Sequence, residues 1–246
     1  VSGTAAHSWT LAHTNPDGSP NEEAAFRSQI DTLGVDTTLL VDTYDITKGV
    51  ETAVKVGGPQ LGGVRIDSGD LGAVTRRVRK QLDDLGNHNT NIVVSSDLDE
   101  FAIAGLRGDP VDVYGVGTSV ATGAGAPTAG MVYKVVEVDG IPVAKRSTSK
   151  QTVGGSKRAL RTYRSSGVAV EEIVYPFDAP APDTGQLDTH EMTIPLMRDG
   201  HIVDDLPDLH ASREYLNQAR KTLPWEGLAL SRDEAAVPTR MVGFKK

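Results

Sequence analysis

The sequence predicts an α/β protein with a parallel sheet in its first half, followed by a smaller, β-rich α+β domain. Four short apolar stretches alternate with helical patterns at a spacing of about 25 residues, which is typical of βαβ units. Each apolar stretch also ends in polar or small residues. After the stretch Gly123–Thr128 the pattern changes to paired strands around Asp-Gly turns. We therefore predict two domains, residues 1–125 and 126–246.

Composition excludes several classes of protein. The chain has 246 residues, of which 38% are hydrophobic and 24% charged, as in ordinary globular proteins. Its net charge of −8 argues against a nucleic-acid surface, and the absence of cysteine excludes disulfides and thiolate catalysis. We see no apolar run of about 18 residues and no signal-peptide pattern, so we expect a cytoplasmic protein without a membrane partner.

The first half contains four predicted strands, each with its own helix beside it along the chain. Continuous apolar runs predict buried strands, and glycines or capping residues mark the helix ends. The predicted strands are Thr37–Val41, a strand around Val64 and Ile66, Asn91–Val94 and Val111–Tyr114. The first predicted helix begins after a cap at Asn21 and ends at Asp31. Three more are predicted, at Ile46–Val56, Leu71–Leu85 and Leu98–Arg107.

The second half is predicted to consist of hairpins, two longer strands and one helix. Asp-Gly dipeptides between apolar runs are a strong hairpin signal. We predict hairpins over Met131–Lys145 and Thr193–Val203, strands Ala159–Arg164 and Ala169–Tyr175, a helix Leu209–Leu223 and an irregular tail from Pro224.

Polar side chains cluster at the carboxyl ends of the four predicted strands. These residues are Asp42, Asp45, Arg65, Asp67, Ser95, Asp97 and Gly117–Ser119. Ligands bind at this edge in closed (β/α) barrels and in open α/β sheets. Caps and turns would explain such residues after one strand, whereas four consecutive strand ends, one with an arginine, favour a shared site.

The charged residues of these strand ends suggest anchoring roles. Arg65 is suited to bind a planar carboxylate, unless it only pairs with neighbouring aspartates. Asp67 and Asp97 could accept hydrogen bonds from sugar hydroxyls or hold Mg²⁺ through water. Helix capping is the alternative, and it fits Asp70 and Asp97 better than Asp67. No residue is assigned as a direct metal ligand.

Two further features suggest phosphate chemistry. The loop Gly115–Ser119 follows a strand, and its backbone N–H groups could hold a phosphate, although a plain turn would look the same. His7 follows the small residues Gly3–Ala6, which would leave room for a ligand beside a neutral imidazole. A purely structural histidine is the alternative.

Six motifs occur in one order over about 140 residues, and together they resemble nicotinate phosphoribosyltransferase. They are Gly3-Thr4-Ala5-Ala6-His7-Ser8, Val41-Asp42-Thr43-Tyr44-Asp45, Val64-Arg65-Ile66-Asp67-Ser68-Gly69-Asp70, Ser95-Ser96-Asp97-Leu98-Asp99-Glu100, Gly115-Val116-Gly117-Thr118-Ser119 and Val132-Tyr133-Lys134-Val135-Val136-Glu137. The resemblance implies that residues 1–125 are part of an irregular (β/α) barrel carrying the active-site loops. It also implies a homodimer that converts nicotinate and phosphoribosyl pyrophosphate to nicotinate mononucleotide and pyrophosphate, with ATP as co-substrate and Mg²⁺ as expected cofactor.

The resemblance implies a role for each matching residue. His7 matches the histidine that ATP transiently phosphorylates, and Arg65 matches the residue beside the pyridine ring. Asp67 and Asp97 match contacts to the phosphoribosyl group, with Asp67 also counted as catalytic. The remaining implied substrate contacts are Ser68, Gly69, Ser96, Gly117 and Thr118, the last two in the 5′-phosphate loop. Ser96 stands where we expect glycine or another small polar residue.

The sequence is also compatible with other activities on a similar fold. Nicotinamide and quinolinate phosphoribosyltransferases share the architecture, and a non-catalytic sugar-phosphate-binding protein is the non-enzymatic alternative. A barrel aldolase or isomerase would need a lysine or glutamate base at a strand end, and none is evident. The resemblance places Val1 about midway along a family member, so we expect this stretch to be the C-terminal portion of the enzyme and to be inactive alone.

Overall fold

The computed structural model describes residues 4–123, 132–147, 150–228 and 235–244. The chain divides into two compact units, residues 1–154 and 155–246. The first unit contains α1 (His7–Leu11), α2 (Glu22–Leu33), β1 (Thr38–Leu40), α3 (Ile46–Gly57), β2 (Gly63–Ile66), α4 (Leu71–Asp84), β3 (Asn91–Ser95), α5 (Glu100–Gly105), β4 (Val113–Gly115), α6 (Thr118–Thr122), β5 (Glu137–Val138), β6 (Ile141–Pro142), β7 (Arg146–Ser147) and β8 (Lys150–Gln151). The second contains β9 (Lys157–Tyr163), β10 (Ala169–Pro176), β11 (Asp188–Glu191), β12 (Met197–Arg198), β13 (His201–Ile202), α7 (Leu209–Lys221) and β14 (Thr239–Met241). Two short 3₁₀ helices complete the described elements, Gly58–Gln60 and Trp225–Leu228.

The first unit is organised by a parallel four-stranded sheet in the order β1-β2-β3-β4. Each strand lies beside the next one along the chain, as repeated βαβ units require. An isolated parallel bridge between Thr4 and Thr38 adds one more residue pair at the β1 edge. The predicted α/β class with a parallel sheet is therefore confirmed.

Alternation along the strands separates a packed face from a polar face. Val64 and Ile66 of β2 are fully buried in the core cluster, together with Ile92 and Val94 of β3. Successive side chains of a strand point to opposite faces, so Arg65 projects to the other side of the sheet. Strand β2 thus contributes two side chains to the core and places the guanidinium of Arg65 on the opposite, polar face of the sheet.

Side-chain caps define where the helices begin. The carboxylates of Asp45, Asp70 and Asp99 each accept a hydrogen bond from the backbone N–H three residues on, at the starts of α3, α4 and α5. The role predicted for Asp70 is confirmed. The capping alternative for Asp97 is wrong, because α5 begins at Glu100 rather than Leu98, and Asp99 is its cap.

The segment after the sheet is less regular than predicted. The hairpin expected over 131–145 is reduced to β5 and β6, joined by Asp139 and Gly140 at φ of 50° and 76°, the signature of a type I′ turn. The predicted domain boundary lies among residues 124–131, outside the described residues. The compact units divide later, after Gly154, and Val143 is buried within the first.

The second unit is built on a sheet in the order β11-β9-β10-β14. The β9–β10 and β9–β11 pairs are antiparallel, and Leu160, Ile173 and Tyr175 form its small core. The tail predicted to be irregular contributes β14, which pairs in parallel with β10. Nothing in the short polar sequence of β14 indicates a strand, because its backbone pairing rather than an apolar pattern holds it.

Among the described residues, no helix is both long enough and apolar enough to cross a membrane.

We expect Gly62→Ala to destabilise the first unit by about 1–3 kcal/mol. A Cβ at this position would lie 2.2 Å from the carbonyl oxygen of Asp36, so the entry into β2 would have to move. Gly105→Ala is the matched control, because its added Cβ meets no atom within 4 Å. Chemical denaturation of both variants measures the difference, and equal stabilities would contradict the packing argument.

Candidate active site

Strand register brings three polar side chains to one face at the carboxyl edge of the sheet. Leu40 of β1 pairs with Arg65 of β2, and Arg65 pairs with Val93 of β3. Asp42, Asp67 and Ser95 each lie two residues beyond these paired positions, in the direction of β1, β2 and β3 respectively. Because side chains alternate with a period of two, these three share the face of Arg65.

Arg65, Asp67 and Ser95 form a hydrogen-bonded triangle. Arg65 Nε donates to Ser95 Oγ at 2.7 Å, and Arg65 Nη2 donates to Asp67 Oδ1 at 3.0 Å. The Ser95 hydroxyl donates to the same Asp67 oxygen at 2.5 Å. Burial would raise the pKa of Asp67, but hydrogen bonds from His7, Ser95 and Arg65 hold it well below its usual range. Asp67 is therefore an anion at neutral pH.

Asp42 is the buried centre of the site. Its side chain is 0% exposed, and its Oδ2 accepts hydrogen bonds from the Asp67 backbone N–H at 3.2 Å and from the Ser68 hydroxyl at 2.5 Å. Its Oδ1 has no hydrogen-bond partner in the described part of the chain. That oxygen lies 3.7 Å from His7 Nε2.

His7 begins α1 and reaches the same edge. Its Nδ1 lies 3.2 Å from Thr43 Oγ1 and its Nε2 lies 3.3 Å from Asp67 Oδ2. The side chain is 23% exposed, so the ring is held by the network and is still partly accessible. The sequence singled out His7, but α1 itself was not predicted.

Lys145 completes the cluster, and sequence reasoning missed it. Its Nζ lies 2.9 Å from His7 Nε2 and 3.3 Å from Asp42 Oδ2. Lys145 follows the short strand β6 rather than a strand of the parallel sheet, so a search of strand ends passes over it. A signal in the sequence was that Lys145 directly follows Ile141–Ala144, a run free of charge.

The remaining predicted residues lie at the rim. Ser68 joins the network through Asp42, whereas Gly69 supplies a turn at φ 87°. Asp97, Gly117 and Thr118 are exposed and, within the described ranges, make no side-chain hydrogen bond to the cluster. The structure therefore links the ends of β1, β2 and β3, and leaves the β4 loop unlinked.

Ser96 adopts a backbone conformation that favours glycine. Its φ of 150° lies outside the regions that L-residues prefer, and such strain is common beside functional sites. The sequence comparison expected a glycine or another small residue there. The strain gives that expectation a physical reason, since only glycine adopts this φ at no cost.

A polar cavity of about 240 Å³ adjoins the cluster. Its lining consists of Asp42, Tyr44, Asp45, Ile46, Thr47, Ser68 and Arg77. Glu22 lies close by, and its Oε1 is buried with no hydrogen-bond partner among the described residues. Burial, reinforced by the charges of Asp45 and Asp42, raises the pKa of Glu22 from 4.5 to about 7.

No group of three or more His, Asp or Glu side chains in the described ranges has the geometry to hold a metal ion. Asp42 and Asp67 are instead engaged by Lys145 and Arg65. Magnesium commonly binds through one or two carboxylates together with substrate phosphates. The exposed Asp97 fits that mode of binding.

The fold and the cluster define an α/β protein with an enzyme-type site at the carboxyl edge of a parallel sheet. The sequence is 52% identical over 243 residues to nicotinate phosphoribosyltransferase pncB1 of Mycobacterium tuberculosis, covering 98% of this chain and 53% of that protein. It is 37% identical over 180 residues to nicotinate phosphoribosyltransferase of Bacillus subtilis, covering 68% of this chain and 35% of that protein. The chain belongs to the nicotinate phosphoribosyltransferase family, and it spans about half the length of the first of these relatives.

A solved structure agrees on the fold. Nicotinate phosphoribosyltransferase from Vibrio cholerae superposes with a TM-score of 0.50 and 24% identity, over 60% of this chain and 39% of that one. This similarity supports the α/β architecture of the matched part. No family model matches the sequence.

We expect Glu22→Gln to stabilise the protein at pH 8 by about 1–2 kcal/mol, allowing for partial exposure of the side chain. The folded state raises the pKa of Glu22 from 4.5 to about 7. The stability that its protonated carboxyl group contributes is therefore fully present below pH 4.5 and is lost as the pH rises through 7. At pH 4 the variant and the parent should be equally stable. Denaturation at both pH values tests this, with the exposed Glu51→Gln as control; an equal difference at pH 4 and pH 8 would contradict it.

Proposed function

We propose that this chain is the part of a nicotinate phosphoribosyltransferase that carries the histidine and the carboxylates of the active site. The reaction joins nicotinate to phosphoribosyl pyrophosphate, giving nicotinate mononucleotide and pyrophosphate, with ATP hydrolysis coupled through a phosphohistidine. The observation that carries the proposal is the cluster in which Arg65 and Asp67, at the carboxyl end of β2, meet His7 at the start of α1. Family membership supports the same reaction.

Asp67 suits the glycosyl transfer step. The bond between C1 of the ribose and the pyrophosphate oxygen breaks, and that oxygen leaves with the electron pair. The nicotinate ring nitrogen forms the new bond to C1 with its lone pair. Positive charge develops at C1 on the way, and a carboxylate held ionised by three hydrogen bonds stabilises it without reorganisation.

Arg65 suits the recognition of nicotinate. It is 21% exposed in its side chain, and two of its nitrogens are held by Ser95 and Asp67. A guanidinium fixed in this way has its remaining donors and its planar face available to an aromatic carboxylate. Among related reactions, a charged arginine favours the acid over its amide.

His7 suits phosphoryl transfer from ATP. A lone pair of the neutral ring forms a bond to the γ-phosphorus, while the bond from phosphorus to the bridging oxygen breaks and ADP leaves with that electron pair. The proton on the other ring nitrogen stays in place. Asp67 and Asp42 lie 3.3 Å and 3.7 Å from Nε2, so the ring that becomes positively charged is met by negative neighbours.

The rim residues complete the proposal. Gly117 and Thr118 are exposed residues whose backbone N–H groups would bind the 5′-phosphate, and Asp97 would contact the ribose and the magnesium bound to pyrophosphate. When bound, Mg²⁺ would neutralise charge on the leaving pyrophosphate. Ser68, Gly69 and Ser96 would line the same substrate.

The wider fold proposal is an irregular (β/α) barrel in a cytoplasmic homodimer. The sequential parallel order of β1 to β4 supports an arc of such a barrel. Because the chain spans about half of its most fully covered relatives, we expect it to be inactive until the rest of the enzyme supplies the remaining strands.

We expect His7→Ala in the full-length enzyme to abolish ATP hydrolysis that depends on nicotinate, while leaving slow formation of nicotinate mononucleotide. The variant removes the phosphoryl acceptor but leaves Arg65 and Asp67 in place. Parallel assays of ADP and nucleotide release measure the two effects. His13→Ala is the matched control, because that ring contacts only the carbonyl of Trp9 and the Trp9 ring in the described part of the chain; undisturbed coupling in His7→Ala would remove His7 from this role.

We expect Arg65→Ala to raise the KM for nicotinate by about 10- to 100-fold, the usual cost of a lost charge-assisted hydrogen bond. Arg65→Lys should recover part of the loss, because the charge remains while the planar fork does not. Steady-state kinetics with the exposed Arg107→Ala as control measures the change. An unaltered KM for nicotinate in Arg65→Ala would rule out the anchor.

A further inference from the structure

We infer that Lys145 is the residue that binds the phosphoryl group while it resides on His7, and that Asp42 holds the lysine in place for this purpose. The inference rests on the proposed phosphohistidine and assigns it a specific counter-ion. Lys145 lies on no strand of the parallel sheet, and none of the strand-end motifs contains it.

The first argument is the charge around the ring. Two carboxylates, Asp42 and Asp67, lie within 3.7 Å of His7 Nε2. A phosphoryl group on the ring adds about two further negative charges at neutral pH. Without a nearby cation, the site would repel the group it has to hold.

The second argument is which cation can reach that group. Arg65 is turned toward Ser95 and Oδ1 of Asp67, the oxygen that does not contact His7. Lys145 Nζ lies 2.9 Å from His7 Nε2. In the described part of the chain, Lys145 is thus the cation in direct contact with the ring.

The third argument is chemical form. A ring protonated at Nε2 donates to Asp67 Oδ2, at 3.3 Å, whereas a neutral ring protonated at Nδ1, 3.2 Å from Thr43 Oγ1, leaves Nε2 as an acceptor. An ammonium group has three donors and no acceptor, so the contact of Lys145 with Nε2 is a hydrogen bond only in this second tautomer. The same ammonium cannot face a protonated Nε2. Lys145 therefore accompanies the neutral, nucleophilic ring, and a flexible four-carbon stem lets Nζ move from the ring nitrogen to a phosphoryl oxygen.

The fourth argument is the anchor of the lysine. Asp42 is fully buried, and its Oδ2 lies 3.3 Å from Lys145 Nζ. A buried carboxylate stabilises a positive partner strongly, because removing that partner would leave an uncompensated charge. Asp42 thus keeps the ammonium at the ring before ATP arrives, and the lysine retains two further donors for phosphoryl oxygens.

The test measures the equilibrium between free and phosphorylated enzyme in the full-length protein with ATP and ADP. We expect Lys145→Gln to lower the phosphohistidine level at a fixed ATP/ADP ratio by about 10-fold or more, since a charge-assisted hydrogen bond to phosphate is lost. Glutamine keeps a donor for Asp42, so the fold should persist. Lys145→Arg should restore most of the level, and Lys48→Gln, at an exposed position on α3, should leave it unchanged.

A spectroscopic readout separates contact from a structural effect. The ³¹P resonance of the phosphohistidine should differ between the parent and Lys145→Gln in the folded proteins and should coincide after denaturation. Equal phosphohistidine levels and equal folded-state resonances would overturn the assignment of Lys145 while leaving the proposed function intact. A parent enzyme that forms no phosphohistidine at His7 would overturn the ATP coupling itself, and the assignment with it.

Discussion

One buried negative charge, the carboxylate of Asp42, determines how the rest of the site is arranged. It has no exposed surface, so it depends on neighbouring groups that donate hydrogen bonds or carry positive charge. The Asp67 backbone N–H and the Ser68 hydroxyl satisfy one oxygen, and this draws the turn after β2 against the end of β1. The ammonium of Lys145 supplies the counter-charge. The position of the turn, the lysine and the histidine beside them all follow from the need to accommodate this one anion.

The two oxygens of one carboxylate, that of Asp67, contact different partners, an arginine on one side and a histidine on the other. Asp67 presents Oδ1 to Arg65 and Ser95, and Oδ2 to His7. The arginine side is suited to the pyridine carboxylate and the histidine side to phosphate, so Asp67 connects the two halves of the proposed reaction. Hydrogen bonds from both sides keep the pKa of Asp67 low, so the carboxylate stays ionised beside both the arginine and the histidine. In the proposed reaction, Asp67 is thus the residue that the phosphoryl-transfer and glycosyl-transfer sites share.

Local pattern and capping chemistry were sufficient to predict the parallel sheet, but they could not predict every contact in the site. Apolar runs such as Asn91–Val94, and caps such as Asp70, are short-range signals that a single sequence carries. Arg65 and Asp67 were found because both lie at the carboxyl end of one apolar strand, and the period of two in a strand places them on one face. Lys145 was missed because its partner is 138 residues away, and no spacing rule relates the two. The strand β14 was missed because a parallel backbone pair holds it, and the capping alternative for Asp97 is wrong because Asp99, two residues later, caps α5.

The long separation between His7 and Lys145 has a consequence for the order in which the protein is made. Contacts between residues far apart in sequence form late, since the intervening chain must first lose its freedom. During synthesis, the histidine and all four sheet strands leave the ribosome before the lysine does. A nascent sheet would therefore hold two carboxylates against the ring with no ammonium beside them. The proposed stabilisation of a phosphoryl group by Lys145 is therefore absent from a partly synthesised chain until the hairpin that precedes the lysine has docked.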